Sequence, residues 1–121
     1  MRAAFLVHSA LSRGAFAVVV LVSLAVLFAP GDDVPLAPPG VDKVVHAALF
    51  TALALTGRWA GIGRSVLATL LVLYAAGSEL IQGLTALNRS ASVADWIADV
   101  VGVLLGLVVW ELLARRRGRP A

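Results

Sequence analysis

Apolar residues fill four long stretches of the chain, at residues 14–29, 44–59, 66–87 and 93–114, and most polar residues lie between them or near their ends. A helix needs about 20 apolar residues to cross a hydrocarbon core about 30 Å thick, at a rise of about 1.5 Å per residue. The third and fourth stretches meet that length as they stand. The first meets it if it begins near Leu11, and the second if Asp42, Lys43 and residues 57–62 occupy the interfaces. The pattern predicts an all-α, four-helix transmembrane bundle with helices over about 11–29, 42–62, 66–87 and 93–114. At 121 residues there is room for one domain, 1–121.

The breaks between stretches have their own chemistry. Residues 30–41 hold four of the five prolines, which makes this loop extended and stiff. At its end Asp42 is placed to cap the next helix by accepting its free amide protons. The first stretch follows Arg2 and Arg13 as a signal peptide would. Its exit, Leu27-Phe28-Ala29-Pro30, lacks the small-x-small cleavage pattern, so a retained helix is expected.

Charge then orients the bundle. Arg2 and Arg13 precede the first helix, Arg58 and Arg64 lie between the second and third, and Arg115, Arg116, Arg117 and Arg119 form a basic tail over 115–121. Cytoplasmic loops carry the excess of arginine and lysine, so both termini are expected inside and loop 30–41 outside. Only Lys43 and Arg89 fall on the outer side. Trp59 and Trp110 then lie near the inner interface and Trp96 near the outer one, where indole rings concentrate.

Composition agrees with lipid as the solvent. Only 14% of residues are charged and mean hydropathy is +0.95, against about 25% charged in a soluble domain. The net charge of +3 is scattered or held in one tail, which suits anionic inner-leaflet lipid rather than nucleic acid. Without cysteine, thiolate metal sites, disulfides and thiol nucleophiles are excluded. No phosphate-binding loop, dinucleotide fingerprint or serine-hydrolase elbow is present.

Against this background the ionisable residues converge. Asp42, Lys43 and His46 open the second helix. Glu79 and Gln82 lie in the last turns of the third, Arg89 in the loop beyond, and Ser92, Asp95 and Asp99 open the fourth. All belong to the outer end. Counting along the helices puts Glu79 and Asp99 at matched depths, roughly 10 Å below the outer boundary. Ser92, Asp95, Asp99, Gly102 and Gly106 share one helical stripe, so the aspartates continue the face of a GxxxG pair that admits a close neighbour. Ala75, Ala76 and Gly77 offer a similar approach on the third helix. A homodimer through such small-residue faces is open on this reading.

Taken in order, Asp42-Lys43-x-x-His46, Glu79-x-x-Gln82, Arg89-x-x-Ser92-x-x-Asp95 and Asp99-x-x-Gly102 resemble the VanZ-like family of small bacterial membrane proteins. The resemblance implies a multi-pass protein of the bacterial cytoplasmic membrane. It also implies a link to tolerance of glycopeptide antibiotics, chiefly teicoplanin. Two positions depart from the family pattern: Ser78 stands where an acidic residue is common, and Asp99 where asparagine is common. An aspartate at that depth must be protonated, paired or metal-bound.

Three functions fit these residues. A site of Asp42, Lys43, His46, Glu79, Gln82, Arg89, Ser92, Asp95 and Asp99 can bind a membrane lipid, a lipid-linked envelope molecule or a glycopeptide, with Lys43 and Arg89 on phosphate or carboxylate. Glu79, His46 and Asp95 are the candidate catalytic groups of a hydrolase or transferase on an envelope lipid. No metal-ligand signature is present and no metal is assigned, although His46, Glu79, Asp95 and Asp99 are the groups a hydrolytic ion would use. The third reading is structural, with the polar residues locking helix register. An i,i+4 pair with Arg115 accounts for Glu111. Tyr74 is expected to serve packing.

Overall fold

The computed structural model describes residues 7, 9–28, 40–84 and 93–116. They form four helices: α1 (Ala10–Leu27), α2 (Val41–Trp59), α3 (Arg64–Leu84) and α4 (Val93–Arg116). Loop 30–41, apart from its last two residues, and the tail beyond Arg116 lie outside the described residues.

Local signals set the helix ends. Ser9 caps α1: its hydroxyl accepts from the Ser12 amide at 3.1 Å, while the Ser12 hydroxyl donates to the Ser9 carbonyl at 2.8 Å. The expected cap on α2 is not formed. Gly40 takes the capping position in the left-handed region, with φ 89°, and Asp42 falls within the first turn. There its charge still favours the positive end of the helix dipole. At the other end α2 stops at Trp59 rather than near residue 62. The Gly61 amide bonds the Arg58 carbonyl and the Ile62 amide bonds the Gly57 carbonyl, each at 3.0 Å. This paired closure needs a left-handed residue, and Gly61 supplies it with φ 99°. Gly61→Ala is expected to cost about 1 kcal/mol of stability by forcing a Cβ into that region, measurable as a lower unfolding midpoint in detergent.

Contacts between elements fix an up-down-up-down bundle. Phe16, early in α1, lies against Gly57, late in α2, and Gly57 also meets Leu67, early in α3. Arg64, at the start of α3, reaches Glu111, near the end of α4. α2 and α4 consequently run parallel, and α1 and α3 run against them. All three other helices pack on α2, with α4 holding the largest share. The core is Leu27 of α1, Phe50, Leu53 and Ala54 of α2, Leu67, Leu71 and Ala75 of α3, and Val103 and Leu107 of α4.

Among the described residues three helices, α1, α3 and α4, are long and apolar enough to cross a membrane. α2 is not; this is the stretch expected to span only with Asp42, Lys43 and residues 57–62 at the interfaces. Its 19 residues reach about 28 Å, but they include Asp42, Lys43, His46, Thr51, Thr56 and Arg58. The bundle encloses the second half of α2, where no residue from 49 to 59 is exposed, while Val41, Asp42, Val44, Val45 and Ala48 of its first half are exposed. The outward faces of the other helices carry Val18, Leu21, Leu70, Leu73, Leu104, Leu105, Val108 and Leu112, all more than 50% exposed. Such a continuous apolar coat is what a lipid-facing surface requires.

The same topology sorts charge along the bundle axis. Arg13, Arg58, Arg64, Arg115 and Arg116 gather at one end, while Asp42, Lys43, His46, Glu79, Asp95 and Asp99 gather at the other. At the basic end Glu111 pairs with Arg64 at 3.0 Å and Arg58 at 4.0 Å. Cross-helix pairing thus replaces the expected pairing along α4 with Arg115. The Arg58 guanidinium also lies over the Trp110 ring, 6.0 Å from its centroid. Trp96, at the acidic end, packs inward against the core.

Candidate acidic-end site

The α2–α4 seam builds the site. Gly102 and Gly106 let the two backbones meet: a side chain on Gly102 would strike the Ala47 carbonyl, and one on Gly106 would lie 2.7 Å from the Thr51 oxygen and 2.6 Å from the Ala54 methyl. The Thr51 hydroxyl sits 2.8 Å from the Ala47 carbonyl and donates to the Gly102 carbonyl across the seam at 3.0 Å. Asp95 and Asp99 continue the glycine stripe toward the acidic end, so the same close approach presses both carboxylates against α2. The expected buried stripe on α4 is present: Asp95, Asp99, Gly102 and Gly106 are all buried.

Two polar layers result. In the outer layer Lys43 Nζ lies 2.8 Å from Asp42 Oδ2 and 2.8 Å from Asp95 Oδ1. In the inner layer His46 Nδ1 lies 2.8 Å from Asp99 Oδ1 and 3.9 Å from Glu79 Oε1. Exposure falls steeply between them. The Lys43 side chain is 41% exposed and Asp95 12%, against 7% for Glu79, 2% for His46 and none for Asp99. One helical turn further in, Phe50, Ala75 and Val103 are buried and apolar. The trio therefore rests on a dry floor, with its outer rim wet.

α3 delivers Glu79 by the same logic. Ser78 beside it is buried and turns its hydroxyl back onto the Ala75 carbonyl at 2.9 Å. Lower on α3, Tyr74 stacks on Phe50 with ring centroids 5.7 Å apart, and its hydroxyl meets Ser23 of α1 at 2.9 Å. Tyr74 is thus a packing residue that also makes a cross-helix hydrogen bond.

Each candidate residue can be placed. Asp42, Lys43, His46, Glu79, Asp95 and Asp99 come together at one end. Gln82 falls in the last turn of α3, but its side chain, like Arg89 and Ser92, lies outside the described residues. Gly102 and Gly106 face α2. Among the described residues nothing lies within 4 Å of a Cβ placed on Gly77, so no close helix approach is made there. Thr51 was not singled out in the sequence. Its signal was the small-residue series Ala47, Thr51 and Ala54, spaced to line one face of α2.

The inner layer is costly to build. An acidic side chain at the bilayer centre costs about 2.5–3.5 kcal/mol on insertion scales and less toward the interface, and two carboxylates here meet one imidazole. Asp99 Oδ2 and His46 Nε2 are buried and meet no hydrogen-bond partner among the described residues, a deficit of about 1–3 kcal/mol for each group. The basic end carries a separate shallow cavity of about 320 Å³ lined by Arg58, Gly63, Arg64, Ser65 and Val66. Its arginines already pair with Glu111.

A family model described as VanZ/LLP1 matches residues 5–114, which takes in α1, α2, α3, all but the last two residues of α4, and both polar layers. No curated protein and no solved structure matches the chain.

Proposed function

The chain belongs to the VanZ/LLP1 family, and from that premise we propose that its acidic end binds the anionic head group of an envelope lipid or lipid-linked molecule. The basic end lies at the cytoplasmic face, following the excess of arginine there. The acidic end then opens to the outer leaflet of the bacterial cytoplasmic membrane, with α2 spanning alongside α4 and both termini inside.

One observation carries the reading. Lys43 is the half-exposed cation at the rim of a polar column that continues inward to Asp99, in a bundle otherwise coated with leucine and valine. An ammonium at that position can take a phosphate or carboxylate oxygen from a lipid already lying alongside. The inner carboxylates and His46 supply acceptors and a donor for sugar or amide groups. Asp95 holds the ammonium over the column at 2.8 Å.

Lys43→Gln is expected to lower the binding of anionic lipid about tenfold, because a charge-assisted contact is replaced by a neutral one. Native mass spectrometry of the detergent-extracted chain, titrated with phosphatidylglycerol and with phosphatidylcholine, measures this. Equal retention of both lipids by the wild-type chain and the variant would sink the reading. The glycopeptide link implied by the family resemblance is tested in parallel, as the teicoplanin concentration that inhibits cells expressing each form.

A second reading is favoured by the 2.8 Å contact between His46 and Asp99 with Glu79 close by. An imidazole oriented by a carboxylate is the arrangement of a general base, so a hydrolase or transferase acting on the same head group is the alternative. Turnover of the bound lipid, lost in His46→Gln while binding persists, separates it from simple recognition.

A further inference from the structure

We propose that His46, Glu79 and Asp99 bind one divalent transition-metal ion, with zinc as the best-matched ion. The three residues come from three helices, and a ligand atom from each lies within 4.8 Å of the other two. His46 Nδ1 is 2.8 Å from Asp99 Oδ1 and 3.9 Å from Glu79 Oε1. Nitrogen and oxygen ligands sit about 2.0–2.2 Å from zinc, so any two on one ion are at most about 4.4 Å apart. Both measured separations fall inside that limit, and the remaining one needs a closure of no more than about half an ångström.

Burial supplies the second observation. All three residues are more than nine-tenths buried, and Asp99 Oδ2 accepts from no group among the described residues. It is the second oxygen of the carboxylate that meets His46, so it lies beside the cluster. A fully buried carboxylate oxygen of this kind calls for a donor or a cation. Lys43 does not fill that role, since its ammonium sits in the outer layer, 2.8 Å from Asp42 and from Asp95 rather than on Asp99. The pairing of Asp95 with Lys43 also removes it from the ligand set and leaves three ligands.

The donor set narrows the ion. One imidazole and two carboxylates suit zinc or manganese; calcium takes six to eight oxygens, and soft ions prefer the thiolates this chain lacks. Three protein ligands leave a position for water or for an oxygen of a phosphate or carboxylate. The ion would thereby deepen the head-group reading by giving the anionic ligand a second cation below Lys43. Metal binding itself requires no lipid, so the two ideas fail separately.

The test uses the full chain in detergent, stripped with chelator and titrated with Zn²⁺ against a competing indicator, with Co²⁺ as a spectroscopic probe. The expected result is one Zn²⁺ per chain and visible d–d absorption on Co²⁺ loading. Affinity should fall at least tenfold in Glu79→Gln and Asp99→Asn, and stay within about twofold of the wild type in Asp95→Asn. Where a variant folds poorly, the wild-type chain decides alone, through its stoichiometry and a rise in unfolding temperature with Zn²⁺. Less than a tenth of an ion per chain, or equal affinity in Asp99→Asn and Asp95→Asn, overturns the proposal. Anionic-lipid binding that persists in chelator and is lost in Lys43→Gln would leave the head-group reading standing without the metal.

Discussion

Gly102→Val is expected to drive α2 and α4 apart and to lower stability by about 3 kcal/mol or more, at the upper end of the overpacking range. The obstacle is backbone. A Cβ on Gly102 would collide with the Ala47 carbonyl, and a helical carbonyl cannot rotate aside as a side chain can. Moving it separates the helices along the seam that also holds Thr51 against the Gly102 carbonyl and His46 against Asp99. Gly102→Ala should show the same effect in weaker form. Gly77→Ala is the control: with nothing within 4 Å of its Cβ, it should be neutral or stabilise by up to about 1 kcal/mol, the helix-propensity difference between glycine and alanine. Unfolding in mixed dodecyl sulfate and mild detergent, followed by tryptophan fluorescence, ranks the three variants. Coincident midpoints for Gly102→Ala and Gly77→Ala would show that the α2 and α4 backbones are not in close contact at Gly102.

His46→Ala has the second large effect, about 3–5 kcal/mol, the usual consequence of removing one partner from a buried ion pair. The imidazole is the buried group within 4 Å of both Asp99 and Glu79. Without it, two carboxylates on a dry apolar floor keep their desolvation cost and lose their shared partner. His46→Leu together with Asp99→Leu should recover much of that loss, since replacing both members of a buried pair with apolar groups is often close to neutral. A double-mutant cycle in chelator isolates the coupling from any metal contribution. A coupling energy below about 0.5 kcal/mol, the scatter expected of independent sites, would mean that the two side chains do not share a buried pair.

The helices and their faces were legible because both depend on near-neighbour chemistry. Runs of apolar residues interrupted by proline and glycine located four helices to within a few residues at most ends. The stripe of Asp95, Asp99, Gly102 and Gly106 is buried as its spacing predicts. Glu79 and Asp99 also meet the same histidine, as their matched depths require. Legibility failed where two equally local solutions competed. Asp42 is a good cap by residue type, yet Gly40, in the left-handed region, takes the capping position two residues earlier. Glu111 had Arg115 within reach on its own helix, but Arg64 and Arg58 approach from neighbouring elements.

By itself, then, the order of residues determined a membrane-seeking bundle with basic groups at one end and acidic groups at the other, because transfer from water to lipid and helical periodicity act on each segment alone. Tertiary structure decided who meets whom. α2, rather than α3, receives the glycine stripe, and that choice assigns Asp95 to Lys43 and Asp99 to His46. It also encloses the second half of α2, the least apolar of the four described helices. The physical reason is that periodicity settles which side of a helix is buried, while the identity of the neighbour depends on how all four helices share a single core.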